Sequence, residues 1–289
     1  MTKQMNYEYF KKIFNETIFE KSKADLLEKI SNSPHRYIGL FRPTKPKAKL
    51  LQNLLQSHEI RFGDAFEKIL EEYLMLKGCK ILQKRIESDN KEYLYIDQCF
   101  QKDGKIYFIE QKVRDDHDSS KKRGQIDNYE KKLNALIKLY GESDLVGIFY
   151  FIDPDLKKNK NYYSSELKKM QSDYSVDLHL FYGRSLFEFF GFSDVWDEII
   201  EYLQMWKREI PELPEINFDL DAWLTFEEIK DLQPLIYRKL FSKEEIFNEI
   251  VLTLFPQKLT LNLLLGYFQK QEKSIYKSLA ERLSNLLKK

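Results

Sequence analysis

Between residues 58 and 112 the spacing of apolar residues changes once, and that change sets the class of fold open to the chain. From His58 to Lys77 the residues Phe62, Phe66, Ile69, Leu70, Tyr73 and Leu74 recur at helical spacing, and Gly78 stands where a helix C-cap belongs. Beyond it come ILQKRI, EYLYIDQCF and KIYFIEQKV, short segments rich in Ile, Tyr, Phe and Val that predict three strands. Asp103-Gly104 separates the last two, and such a dipeptide favours a two-residue hairpin turn. A strong helix is thus followed by a hairpin.

The order continues in kind. Ser119 and Ser120 are candidate N-caps for a helix running to about Tyr140 and ended by Gly141. LVGIFYFI reads as a buried strand, SSELKKM as a helix start and VDLHLFYG as a last strand. From Arg184 the pattern is helical, broken by Pro211, Pro214, Pro234 and Pro256. Residues 5–30 predict one or two amphipathic helices, and NSPHRYIGLFRPTKPKAK, with three prolines, predicts an extended or looped arm. The expectation is an α/β protein in three parts. These are an N-terminal helical region and basic arm (1–58), a core (59–200) and a helical C-terminal subdomain (201–289).

Composition narrows the function. With 43% apolar and 32% charged residues among 289, the chain can bury a core and is not predicted to be disordered. Cys79 and Cys99 lack the spacing of a zinc site or disulfide framework. Leu259 to Phe268, interrupted by Thr260, Asn262 and Gly266, falls short of the ~20 apolar residues of a membrane span. The N-terminal segment shows no apolar stretch of the secretory kind, so a cytoplasmic protein without a membrane anchor is expected. The 47 basic and 46 acidic residues nearly cancel, but they are clustered. Ser33 to His58 holds no acid, while Arg36, Arg42, Lys45, Lys47 and Lys49 are basic, and Lys121-Lys122-Arg123 and Lys157-Lys158-Asn159-Lys160 follow.

The chemistry concentrates on the hairpin. Asp97 is expected on its first strand, with Glu110 and Lys112 on the second. Two residues apart, Glu110 and Lys112 project from one face. The neighbours Leu94, Ile96, Ile106, Phe108 and Ile109 predict a central position in the sheet, where two acids suffer desolvation and mutual repulsion. A divalent cation relieves both, and the chemistry that uses this set is metal-dependent phosphodiester hydrolysis, with the lysine orienting or activating water. The alternative from the residues alone is a polar face on a half-solvated hairpin.

Asp97 followed by Glu110-Gln111-Lys112 resembles the active site of the PD-(D/E)xK nuclease superfamily, and of type II restriction endonucleases in particular. The preceding helix, IRFGDAFEKILEEYL, places Glu67 where family members often carry an auxiliary glutamate. VDLHLFYG followed by RSLFEFF resembles the strand and helix that often follow the catalytic lysine. Ile96 departs from the proline usual before the first aspartate. The resemblance, over about residues 59–190, implies a central mixed β-sheet flanked by helices, Asp97, Glu110, Lys112 and Glu67 as catalytic residues, and Mg²⁺ held by Asp97, Glu110 and the Gln111 backbone carbonyl. It also implies double-stranded DNA cut to 5′-phosphate and 3′-hydroxyl ends, and a companion DNA methyltransferase. A homodimer follows from cutting both strands of a palindromic site.

The segment after the hairpin supplies candidate DNA contacts. Arg114, Lys121, Lys122 and Arg123 suit phosphates; Arg114, Arg123, Gln125 and Asn128 can read base edges; Ser119 and Ser120 at a helix start suit a phosphate. Asp115, Asp116 and Asp118 would pair with these bases or read cytosine amino groups. In the arm, Arg42, Lys45 and Lys47 would follow a duplex or feed a groove, or else stand on a surface linker. Two other readings stay open, a same-fold repair or junction-resolving nuclease and a non-catalytic nucleic-acid-binding module.

Overall fold

Asp103 and Gly104 both adopt positive φ, 50° and 82°, and Lys102 pairs with Lys105 across them. This is the turn that suits the twist of a two-residue hairpin. The computed structural model that contains it describes residues 5–87 and 92–288. By internal contacts the chain divides into two units, Met1–Phe14 with Gly63–Glu209 and Asn15–Phe62 with Ile210–Lys289.

The first unit holds seven described strands: β1 (Lys80–Ile81), β2 (Arg85–Glu87), β3 (Tyr93–Tyr95), β4 (Gln98–Lys102), β5 (Lys105–Lys112), β6 (Leu145–Phe151) and β7 (Asp177–Tyr182). Five form one sheet in the order β1-β4-β5-β6-β7, and β2 pairs with β3 separately. β4 runs antiparallel to β1 and β5, while β5, β6 and β7 are parallel, so the sheet is mixed and β5 lies at its centre.

Helices cover both faces of the sheet. The helices of the chain up to Glu209 are α1 (Tyr7–Ile18), α2 (Ser22–Asn32), α3 (His35–Ile38), α4 (Pro46–Leu76), α5 (Ser119–Tyr140), α6 (Lys160–Tyr174), α7 (Arg184–Phe189) and α8 (Ser193–Glu209). On one face Phe108 stacks on Tyr129 of α5 at 5.1 Å and Phe149 meets Tyr163 of α6 at 4.9 Å. On the other, Ile109 shares an apolar void with Leu70, Tyr73 and Leu74 of α4, Leu186 and Phe187 of α7, and Val195 of α8. Gly147 in β6 permits the close approach of α5. A Cβ there would meet the Tyr129 hydroxyl and lie 2.6 Å from Leu178 and 2.7 Å from Phe108.

The second unit is helical. Ala222–Ile229, Pro234–Leu240, Glu244–Leu254, Leu259–Lys270 and Ser274–Leu287 enclose an apolar core with α2 that includes Leu27, Ile30, Tyr237, Phe241, Phe247, Phe268 and Leu283. Asp219, nearly buried, caps Leu259–Lys270 by accepting from the backbone N–H groups of Gln257 (2.9 Å) and Thr260 (2.8 Å). Among the described residues no single helix is long and apolar enough to cross a membrane.

Several local expectations need correction. The arm is confined to a looped stretch of turns and bends over residues 39–45, because α3 precedes it and α4 begins at Pro46 rather than near His58. Proline suits a first helical turn, and Leu50 and Leu54, four apart, are buried on this earlier stretch. EYLYIDQCF forms two strands, β3 and β4, and Asp97 occupies the bend between them, not a strand. ILQKRI divides likewise into β1 and β2. The N-cap of α5 is Asp118, whose side chain accepts from the Lys121 N–H at 2.8 Å, not Ser119 or Ser120. α6 starts at Lys160, ahead of SSELKKM.

Candidate active site

The hairpin register brings the two acids together. Gln98 pairs with Ile109, so Asp97, one residue before β4, stands beside Glu110. The Gln111 backbone N–H donates to Asp97 Oδ2 at 2.7 Å and fixes that carboxylate. Strand alternation puts Glu110 and Lys112 on the face covered by α5. Gln111 points to the opposite face, where its Oε1 is buried without a hydrogen-bond partner among the described residues.

Three oxygens converge on one ammonium. Lys112 Nζ lies 2.8 Å from Glu110 Oε1, 2.8 Å from the Gln111 carbonyl and 3.5 Å from Asp97 Oδ2. A second lysine closes the cluster from α5. Lys132, only 5% exposed, pairs with Glu110 Oε2 and lies 3.9 Å from Asp97 Oδ1. Lys132 was missed by the sequence reading, although its signal was present. It sits in the apolar stripe of α5 beside Ile126, Tyr129, Leu133 and Leu136, where a charge requires a buried partner.

Burial dominates the electrostatics. It raises the Asp97 carboxyl above its usual range, and the Glu110 charge raises it further. Burial pulls the Lys112 ammonium down, yet the Glu110 and Asp97 carboxylates outweigh it and hold Lys112 above its ordinary value. Lys112 is therefore a cation here. On α4, Glu67 is pushed up to about 7, first by burial and then by the Asp97 charge. Gln98 Nε2 donates to the Glu67 carbonyl at 2.7 Å and ties that turn of α4 to β4.

The model of the family described as type II restriction endonuclease, HinfI, matches residues 6–94 and 75–207, more than half of the chain. The chain belongs to the HinfI family of type II restriction endonucleases. It is accordingly a site-specific deoxyribonuclease, and of the readings open to the sequence this one stands. No curated protein and no solved structure matches it significantly.

In this HinfI-family enzyme the segment from β5 into α5 is built around a buried aspartate. Asp115 is fully buried, accepting from the Asn159 N–H and Nδ2 (both 2.9 Å) and from the Tyr182 hydroxyl (2.9 Å). It therefore faces inward rather than toward bases, and Asp118 is engaged as a cap. Lys122 contacts Asn159 Oδ1 at 3.2 Å and lies 4.5 Å above the Tyr162 ring, while Gln125 Oε1 accepts from Tyr163 at 2.6 Å. Ser119, Ser120, Lys121 and Arg123 are exposed, with Arg123 Nε donating to the Ser119 carbonyl at 3.2 Å. Arg114 and Asn128 are half-buried. Arg42, Lys45 and Lys47 are exposed in the second unit.

Proposed function

We propose that this restriction endonuclease hydrolyses DNA with Mg²⁺ held by Asp97, Glu110 and the Gln111 backbone carbonyl. One observation carries the reading: the Lys112 ammonium already has an oxygen of each residue within 3.5 Å, so this pocket of hard donors accepts a positive charge. The proposed donor set is two carboxylates and a backbone carbonyl; among the described residues no group of three His, Cys, Asp or Glu side chains could hold a metal ion. Type II restriction endonucleases typically use divalent metal ions, and these donors suit Mg²⁺. Bound there, the ion would polarise the scissile phosphoryl group and acidify a water.

The side chains divide the remaining work. Lys112, kept protonated by its carboxylates, orients the water and stabilises charge developing on the phosphoryl oxygens, rather than removing a proton. Glu67, raised to about 7, has the proton affinity of a general base working near neutrality. In-line attack then leaves 5′-phosphate and 3′-hydroxyl ends. Exposed Lys121 and Arg123, with Arg114, Ser119, Ser120 and Asn128 nearby in sequence, meet the duplex, and Arg42, Lys45 and Lys47 add phosphate contacts.

Residues 59–200 form the nuclease core, between N-terminal (1–58) and C-terminal (201–289) extensions. Two copies supply the two active sites that a palindromic target requires, and a methyltransferase of the same system protects host DNA in the cytoplasm. The test is incubation of wild type and Lys112→Ala with methylation-free phage DNA, with Mg²⁺ and with EDTA. A discrete ladder from wild type with Mg²⁺ alone, with ends that a ligase joins, is expected. Equal cutting by Lys112→Ala, or cutting in EDTA, would refute the assignment.

A further inference from the structure

The buried face of α5 consists of Ile126, Tyr129, Lys132, Leu133 and Leu136. Helix packing needs no charge there, since an apolar side chain of similar volume can replace a buried ion pair without loss of stability. What distinguishes Lys132 is its target. It pairs with Glu110 Oε2, while Glu110 Oε1 faces Lys112 at 2.8 Å, so each carboxylate oxygen has its own lysine. Asp97 Oδ1 lies 3.9 Å from Lys132 and Asp97 Oδ2 lies 3.5 Å from Lys112. Each of the two carboxylates thus has both ammoniums within 4 Å. With all four groups charged the cluster is neutral.

We infer that Lys132 is a positioning residue that fixes the Glu110 carboxylate through Oε2 and cancels one of the two acidic charges, so that the site draws a divalent cation strongly only when a DNA phosphate adds its own negative charge. The inference rests on Asp97 and Glu110 as the cation's ligands. A neutral cluster gives a dication little net attraction, whereas one phosphodiester makes the assembly anionic. Lys112 lies on the strand and can yield its oxygens to a metal. Lys132, 5% exposed on the opposing helix, holds Glu110 Oε2, while Lys112 bonds the other oxygen, Oε1. The metal-loaded state thereby depends on substrate, which keeps the hydrolytic site inert on the free enzyme.

The test is Mn²⁺ binding to the full-length, DNA-free protein, followed by the loss of the free-ion paramagnetic resonance signal. Wild type should bind weakly, in the millimolar range. Lys132→Met, which keeps the volume and removes the charge, should bind at least tenfold more tightly, and Lys132→Arg should stay near wild type. Adding Asp97→Asn to Lys132→Met should abolish the gain, a response that loss of packing alone would not produce. If Lys132→Met fails to fold by circular dichroism, Lys132→Gln carries the comparison. Micromolar binding by DNA-free wild type would overturn the inference. So would equal affinities of wild type and the charge-free variant; if Asp97→Asn still weakened Mn²⁺ binding, the ligand assignment would survive that failure. A gain that persisted in the Asp97→Asn background would overturn both.

Discussion

The backbone N–H of Gln111 donates to Asp97 Oδ2 at 2.7 Å, so the acid in the bend before β4 is fixed by the backbone of β5. This bond separates the acid's structural role from its charge. An asparagine can accept the same hydrogen bond but is neutral.

Asp97→Asn should therefore keep the fold and lose catalysis. Cleavage of plasmid DNA with Mg²⁺ is expected to fall by about a thousandfold, of the order seen when a group acting in the transition state is removed. Thermal stability in EDTA should be unchanged or higher, because burial and the Glu110 charge both oppose ionisation of Asp97. A variant that cut within tenfold of wild type would remove Asp97 from the site.

The sequence made the hairpin legible because its determinants are local. Asp103-Gly104 specifies the turn, the register follows, and Glu110 and Lys112 project together through strand alternation. Lys132 was less legible, since its role comes from a contact made 22 residues away on a packed helix. The inward turn of Asp115 depends on Asn159 and Tyr182, residues 44 and 67 positions distant. Composition also misled: an acid-free basic stretch with prolines suggested an arm, although Pro46 in fact opens the long helix α4. Charge describes a surface well and backbone conformation poorly.

Glu67 makes stability depend on pH. Its carboxyl, ordinarily at 4.5, is raised to about 7 by burial and by Asp97. Between those values the folded protein keeps a proton that the unfolded chain has lost, so stability falls as pH rises from 4.5 and levels off above 7. Glutamine escapes this cost. In EDTA, Glu67→Gln should exceed wild type by about 2 kcal/mol at pH 8, a few degrees in melting temperature, and by much less at pH 5. The same difference at both pH values would show that Glu67 is not held protonated.

Arg123 tests the DNA face. It is exposed on the first turns of α5, bonded through Nε to the Ser119 carbonyl. If it meets a phosphate, Arg123→Ala should weaken binding on all sequences and lower the slope of log affinity against log salt by about one. If it reads a base, the loss should be confined to the cognate site. Gel-shift titrations in Ca²⁺ at several salt concentrations distinguish these outcomes, and unchanged affinity throughout would exclude contact.

Asp115 anchors the segment that leads into α5. It receives the Asn159 N–H, the Asn159 side-chain amide and the Tyr182 hydroxyl, and so ties the segment after β5 to the loop before α6 and to β7. Asp115→Ala would leave the Asn159 N–H and the Tyr182 hydroxyl without an acceptor and the Asn159 amide with only the His117 carbonyl (3.1 Å), and hydrogen bonds to a charged group are each worth about 1.5–3 kcal/mol. A loss of about 3 kcal/mol in urea unfolding is expected, with a smaller loss for Asp115→Asn, which retains one oxygen acceptor. DNA affinity should fall along with stability, because the loop held by Asp115 leads directly into the residues from Ser119 to Arg123. A loss below about 1 kcal/mol would mean that water replaces the carboxylate and that this buried hub is not what holds the loop.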